Sequence, residues 1–350
     1  METDKMMVRP VITLLTDFGK IYPAMMKGKI LSGCPEALII DMTHEIPAGN
    51  ISAGSLVLSQ CASAFPEKTI HVAVVDPGVG SSRKALLIRC RGPDRYFIGP
   101  DNGLLVRASF GDAGGTDLSG IVPASDRKSG DIPDVFVIDE SLPLFGNASK
   151  TFHGRDIFAP AAAALANGCF PEDLGKRIDP AGIVRPPVSE NIIEGSLSGE
   201  DGIVIRTTVL LTDDFGNMIT SLPYEALYDK TGFSGQENLT AEIGQDDEEK
   251  DAGNPEQEKT GKKDAEKKKT DKKKAEKIKA KIVGTYSEAA RGTPVLLKGS
   301  FGTLEFAVTE GSAKKYSEER GFRTEDGCRL TIRITEKRTD EEQAEQETNG

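Results

Sequence analysis

The stretch TIHVAVVDPGVGSSRK, Thr69 to Lys84, decides how the chain reads. Its first half is a short run rich in Val, Ile and Ala, which gives way to Asp76, a Pro-Gly turn and two adjacent cations, Arg83 and Lys84. Apolar runs of this length without polar alternation read as strands buried on both faces, the habit of parallel sheets. Three more segments repeat the pattern: VITLLTD (11–17), ALIIDMTHE (37–45) and RYFIGPDNG (95–103), each bounded by turn formers and closing on Asp, Glu or Asn. Between them PAMMKGKILSGC and NISAGSLVLSQCASAF space their apolar residues as helices do. The order β-α-β-α-β predicts an α/β N-terminal domain with a mainly parallel sheet. Ligands of such sheets sit outside the carboxyl ends of the strands, so Asp17, Thr43, His44, Asp76 and Asp101 are expected at one crevice.

Working outward, HGRDIFAPAAAALANG (153–168) reads as one long helix with a glycine stop. After the proline-rich IDPAGIVRPPVSEN the character changes to alternating, turn-punctuated strands, which predicts a smaller, mostly antiparallel β domain. The boundary falls near Pro186 to Ser198, giving domains over 8–187 and 198–336. The second is interrupted at 245–275 by an acidic block and then a lysine block with no aromatic residue. Such a segment buries too little apolar surface to offset its ordering entropy and reads as a solvated, disordered insertion in a β-hairpin. The acidic tail, 337–350, reads the same way.

Two domains suit a chain of 350 residues. A formal charge of -11 argues against a general nucleic-acid binder, which needs a basic face. The N-terminal apolar run leads straight into a polar turn without a cleavage-type site, so it reads as a first strand and not as a signal peptide, and nothing suggests a membrane protein. Five cysteines without a C-x-x-C pair fit reduced thiols in a cytoplasm. With three histidines, none at the i, i+4 spacing of helical zinc sites, no metal is expected.

Each chemistry-bearing segment has two readings. The glycines, serines and Lys84 after Asp76 miss the spacing of a phosphate loop, which leaves either a tight turn, with Asp76 capping backbone and Arg83 paired to it, or a site. Asp17 in TDFG suits the two hydroxyls of a ribose or a helix N-cap. His44 is either a base or a satisfied core group, and His71, inside its run, reads as structural. His153 can face the crevice, while Asp156 is placed against a helix dipole. In DDFGN, Phe215 could stack on a flat heterocycle and Asn217 bond its polar edge, or the segment is a hairpin turn.

Taken together, TDFG, IIDMTHEIP, VVDPGVGSSRK, FIGPDNGLL, the FHGRDIFAP helix, DDFGN and the segment GSFGTLEFAVTEGSA resemble, in order, the S-adenosyl-L-methionine (SAM) hydroxide adenosyltransferases. These are adenosine-forming SAM hydrolases related to fluorinase and chlorinase. The likeness spans about residues 10 to 335, apart from the charged insertion. It implies that water or hydroxide attacks the 5′-carbon of SAM, giving adenosine and L-methionine, with SAM as substrate and no cofactor. It implies Asp76, Arg83 and His153 as catalytic residues and Asp17 as the ribose ligand. It implies methionine and adenine contacts from Asp213, Phe215, Asn217, Ser300 and the backbone near Glu310. It also implies a homotrimer whose substrate lies between the N-terminal domain of one subunit and the C-terminal domain of the next. The insertion and the acidic Asp214 depart from the family pattern. Two alternatives stand beside hydrolysis: a halogenase taking chloride, and a SAM or adenosine sensor without turnover.

Overall fold

The computed structural model describes residues 9–92, 94–110, 132–186, 191–197, 199, 202–231, 239–245 and 276–336. The expected insertion, from residue 246 to 275, and the 337–350 tail lie outside the described residues. The chain divides into two compact units, Met1–Val188 and Ser189–Gly350.

The first unit runs β1 (Val11–Thr16), α1 (Tyr22–Gly33), β2 (Leu38–Thr43), α2 (Ile51–Ala62), β3 (Ile70–Val74), β4 (Ala85–Arg91), β5 (Asp94–Pro100), α3 (Val106–Phe110), β6 (Asp134–Ile138), α4 (Ala159–Ala166), α5 (Pro171–Leu174) and β7 (Gly175–Ile178). The strand order is β2-β1-β3-β5-β4-β6-β7. Pairings among β2, β1, β3 and β5 are parallel, whereas β5–β4, β4–β6 and β6–β7 are antiparallel. The sheet is therefore mixed, which corrects the expectation of a mainly parallel one. The cause is local: two residues separate β4 from β5, and a link that short closes only an antiparallel pair.

Burial explains the continuous apolar runs. Every residue of β3 is buried, and Ile12, Leu14, Val72 and Val74 share a core with Met26 and Ile30 of α1 and with Ala161 and Ala162 of α4. On the other face, the ideal Cβ position of Gly54 in α2 is 3.0 Å from Val75, so helices cover both sides of the sheet. Asn50 caps α2, its Oδ1 accepting from Ala53 N at 3.0 Å. The helix expected over 153–168 is two segments, a π-helical turn over Gly154–Phe158 and then α4.

The second unit contains β8 (Ile192–Gly195), β9 (Ile203–Thr212), β10 (Met218–Pro223), α6 (Tyr224–Thr231), β11 (Leu239–Gly244), β12 (Ile278–Ile282), β13 (Pro294–Lys298), β14 (Thr303–Val308), α7 (Ala313–Glu318) and β15 (Arg329–Glu336). Because β10 pairs with both β14 and β9, seven strands close on themselves in the order β10-β14-β13-β12-β11-β15-β9, with β8 added to β9. Closure leaves the seven without a free edge. Pairing is antiparallel except at β12–β13. The inward residues alternate as a barrel requires: Ile203, Ile205 and Val209 of β9 meet Leu330, Ile332 and Ile334 of β15 and Phe306 of β14 in one core. Strands β11 and β12, on either side of the charged segment, pair from Thr240↔Lys281 to Ile243↔Ile278.

Candidate active site

Parallel pairing of β1, β2 and β3 brings their carboxyl ends together, with Thr16 opposite Val74 and Leu15 opposite Thr43. Asp17, His44 and Asp76 follow these three ends. The turn after β3 doubles back: Val79 N donates to Asp76 O at 3.3 Å, and Ser81 N to Gly78 O at 3.1 Å. Gly80 at its apex has φ +79, and a Cβ there would stand 2.5 Å from Lys150 O. Only glycine fits both constraints. The turn returns Arg83 to Asp76, so two opposite charges seven residues apart meet.

The Arg83 guanidinium donates twice to Oδ2 of Asp76, from Nε at 2.9 Å and Nη2 at 2.6 Å. Nη2 also lies 2.9 Å from His153 Nδ1. Both side chains of the ion pair are buried, at 9% exposure for Arg83 and 4% for Asp76. The guanidinium carbon stands 5.4 Å from the Phe158 ring centroid. An ion pair this dry is stable only if its remaining polar atoms are satisfied, and Oδ1 of Asp76 has no hydrogen-bond partner among the described residues. That is one unfilled acceptor in a buried row.

The row also fixes the His153 tautomer. A guanidinium has no acceptor, so its bond to Nδ1 requires a lone pair there, and the neutral ring carries its proton on Nε2. His153 reaches this place because it immediately precedes the π-helical turn. Asp156 stands in the first turn of this segment, the place expected of an acid set against a helix dipole. Its Oδ2 takes Ser149 N at 2.9 Å, and Arg155 grips both of its oxygens. Beside the row, Phe18, Tyr22 and Phe152 meet edge to face at 5.5 to 6.3 Å.

Asp17 lies at the end of the neighbouring strand, and its Oδ2 accepts from Gly49 N at 2.8 Å. It does not cap α1, whose N-cap residue is Ile21.

In the second unit the β9–β10 turn is organised by Asp213. Its Oδ1 accepts from Phe215 N at 3.0 Å and Asn217 N at 2.8 Å, and its Oδ2 from Asn217 Nδ2 at 3.1 Å. The hairpin-turn reading is realised, and it leaves Phe215 79% exposed at the tip. A Cβ on Gly216, at φ +84, would stand 2.0 Å from Ser312 Oγ, so the turn sits directly on the segment that starts α7. Ser300 precedes β14 and Glu310 follows it, so the strand separates these two candidates by roughly 17 Å along its axis. Glu310 is one of two non-glycine residues at positive φ among the described residues.

Two groupings were not singled out in the sequence. Tyr286 donates its hydroxyl to the buried Glu305, whose carboxyl is pushed up by burial and by the charge of Asp213 against the pull of that hydrogen bond. A lone Glu inside the apolar run TLEFAV was the available signal. The other is a row joining Thr16, His44 and Asp41, described below. Among the described residues no group of three or more His, Cys, Asp or Glu is placed to hold a metal ion. No helix among them is long and apolar enough to cross a membrane.

A mixed α/β unit carrying a buried carboxylate–guanidinium–imidazole row, followed by a seven-stranded barrel, is the class of protein this chain defines. The chain belongs to the SAM hydroxide adenosyltransferase family: residues 12–175 match its N-terminal domain and 207–318 its C-terminal domain. It is 36% identical over 211 residues to an (R)-S-adenosyl-L-methionine hydrolase of Salinispora arenicola, covering 60% of this chain and 70% of that one. The protein of that name from Thermus thermophilus is 30% identical over 310 residues, 88% of this chain and 95% of the other. A fluorinase of Actinopolyspora mzabensis is more distant, 24% identical across 61% of this chain and 72% of its own. Among solved structures, an uncharacterized conserved protein from Thermotoga maritima superposes with a TM-score of 0.65 at 27% identity, covering 92% of this chain and all but 1% of the other.

Proposed function

We propose that this chain hydrolyses SAM to adenosine and L-methionine by directing a water oxygen at the 5′-carbon. The observation that carries the reading is Asp76 Oδ1, a buried acceptor without a partner, next to a carboxylate oxygen already doubly held by Arg83. A sulfonium leaves as a neutral thioether and needs no acid. The catalytic task is to hold one oxygen nucleophile, stripped of most of its hydration, in line with carbon. A water can donate a proton to Oδ1. His153 has no free lone pair while Arg83 holds Nδ1, so Asp76 takes the role of proton acceptor and His153 offers its Nε2 proton as a donor that orients the oxygen. Arg83 fixes both groups.

The same atom bears on the choice of nucleophile. A halide has no proton to give to Oδ1 and would meet a carboxylate as an anion in a dry site, at a cost of several kcal/mol. Water is therefore the assigned nucleophile over chloride. Asp17 is assigned to the ribose hydroxyls, with Asp213, Phe215, Asn217, Ser300 and the backbone near Glu310 assigned to the methionine and adenine ends. Because both Asp213 oxygens already build their turn, its part is to present Phe215 and Asn217. The names of the Salinispora and Thermus relatives extend the proposal to the (R) sulfonium epimer as preferred substrate. The assembly is a homotrimer sharing its pocket between neighbouring subunits, the location cytoplasmic, and no cofactor takes part.

Incubation of the purified chain with each SAM epimer, with and without chloride, tests this by chromatography. Adenosine from the (R) epimer and no 5′-chloro product are expected. A chlorinated product would replace water by halide, and binding without any product would make the chain a sensor.

A further inference from the structure

His44 lies in none of the roles above, yet its surroundings are built around it. Its Nδ1 is 2.9 Å from Thr16 Oγ1, a fully buried hydroxyl that also accepts from Phe18 N at 3.2 Å. Its Nε2 is 3.0 Å from Asp41 Oδ1, off the line of a regular hydrogen bond, and Lys27 Nζ holds the other Asp41 oxygen at 2.5 Å. A carboxylate only accepts, so the neutral ring has its proton on Nε2 and takes the Thr16 hydroxyl proton at Nδ1. The donors then run in one direction: Phe18 N–H to Thr16 Oγ1, Thr16 O–H to His44, His44 N–H towards Asp41. The same residue's carbonyl accepts from Gly19 N at 2.9 Å, and Ile46 N, two residues on, reaches Thr16 O at 3.4 Å. A further three residues on, Gly49 N donates to Asp17 Oδ2.

Asp17 sits inside this frame. The residue before it is held by the His44 ring, the residue two after it by the His44 carbonyl, and its own carboxylate by the loop that His44 begins. We propose that His44 is a positioning residue for Asp17, with Thr16 and Asp41 as its anchors, and that this row sets affinity for the ribose end of the substrate and not turnover at the 5′-carbon. The inference rests on the assignment of Asp17 to the ribose. Its physical basis is that a carboxylate must be fixed within a fraction of an ångström to accept two hydroxyls together, and a partner supplied by a separate strand end does this at no cost to the substrate.

The test is steady-state kinetics of the full chain with SAM for His44→Ala, His44→Asn, Asp17→Ala and the double variant Asp17→Ala/His44→Ala. His44→Ala is expected to raise KM about tenfold with kcat within about twofold. His44→Asn, whose amide oxygen can accept from Thr16 in place of Nδ1, is expected to recover most of that loss. In the Asp17→Ala background the His44 substitution should change KM by less than about twofold, because the group it positions is gone. A fall in kcat at unchanged KM, or a KM effect undiminished without Asp17, overturns the inference while leaving the ribose assignment intact. A normal KM for Asp17→Ala removes both. Should His44→Ala fail to fold, Thr16→Val and Asp41→Asn take its place, with the same KM-directed effect expected and a kcat-directed effect refuting it.

Discussion

His71 offers a change in stability whose size follows from its surroundings. It stands in β3, fully buried, its Nδ1 2.8 Å from Thr13 Oγ1, its ring stacked 4.9 Å from Phe97, and its Nε2 without a partner among the described residues. Burial, with the charge of Arg95 adding to it, pushes the imidazole from 6.5 down to about 3. The unfolded chain therefore binds a proton between these values that the folded chain refuses. The sign follows: the neutral ring's contribution is complete above pH 6.5 and is lost as pH falls, at about 1.4 kcal/mol per pH unit. The loss reaches about 2 kcal/mol at pH 5 and about 4 kcal/mol at pH 3. The interval from pH 6.5 to 5 lies above the range where carboxylates take up protons, so histidine dominates it. Urea unfolding followed by circular dichroism at pH 7.5 and pH 5, for wild type and His71→Gln, measures the difference. The variant should lose about 2 kcal/mol less than wild type over that interval. Proton NMR of the three histidines gives an independent reading. A His71 signal titrating near 6.5 in the folded protein, or an unchanged pH slope in the variant, would refute the reasoning.

Other outcomes follow from the site. Asp76→Asn, Arg83→Ala and His153→Ala are each expected to lower kcat by on the order of 10²-fold or more, whereas Asp17→Ala acts mainly on KM; steady-state kinetics separate the two classes. Phe215→Ala, at an exposed turn tip, should leave the melting temperature within about 1 °C and raise KM if the ring stacks on substrate, and an unchanged KM would remove it from the pocket.

Much of the fold was legible. The runs ending at Asp17, Thr43, Asp76 and Asp101 became β1, β2, β3 and β5; β1 and β3 are almost continuously apolar because they are buried, whereas β2, at the sheet edge, is half-exposed. The direction of pairing does not show in the runs: β4 carries Arg89 and Arg91 and β6 opens on Asp134, so neither is an uninterrupted apolar run, and only the two-residue link after Arg91 betrays an antiparallel turn. The barrel's closure was hidden too, since it depends on β10 pairing with two strands at once. Within the site, the motifs named Asp76, Arg83 and His153 and the tight-turn reading paired Arg83 with Asp76, but nothing joined His153 to them. His153 lies 70 residues from Arg83, and its approach depends on the π-helical turn that no propensity scale signals. His44 stayed ambiguous for the same reason, its two partners Thr16 and Asp41 lying on different strands.

The central claim is that Asp76 accepts a proton from water and does not itself attack carbon. A single turnover with enzyme in excess over SAM, in ¹⁸O-labelled water, decides it by mass spectrometry of the product and of the peptide containing Asp76. The account predicts the label in the 5′-hydroxyl of adenosine and none in the protein. Unlabelled adenosine with the label in the Asp76 carboxylate would mean an ester intermediate, and would contradict it.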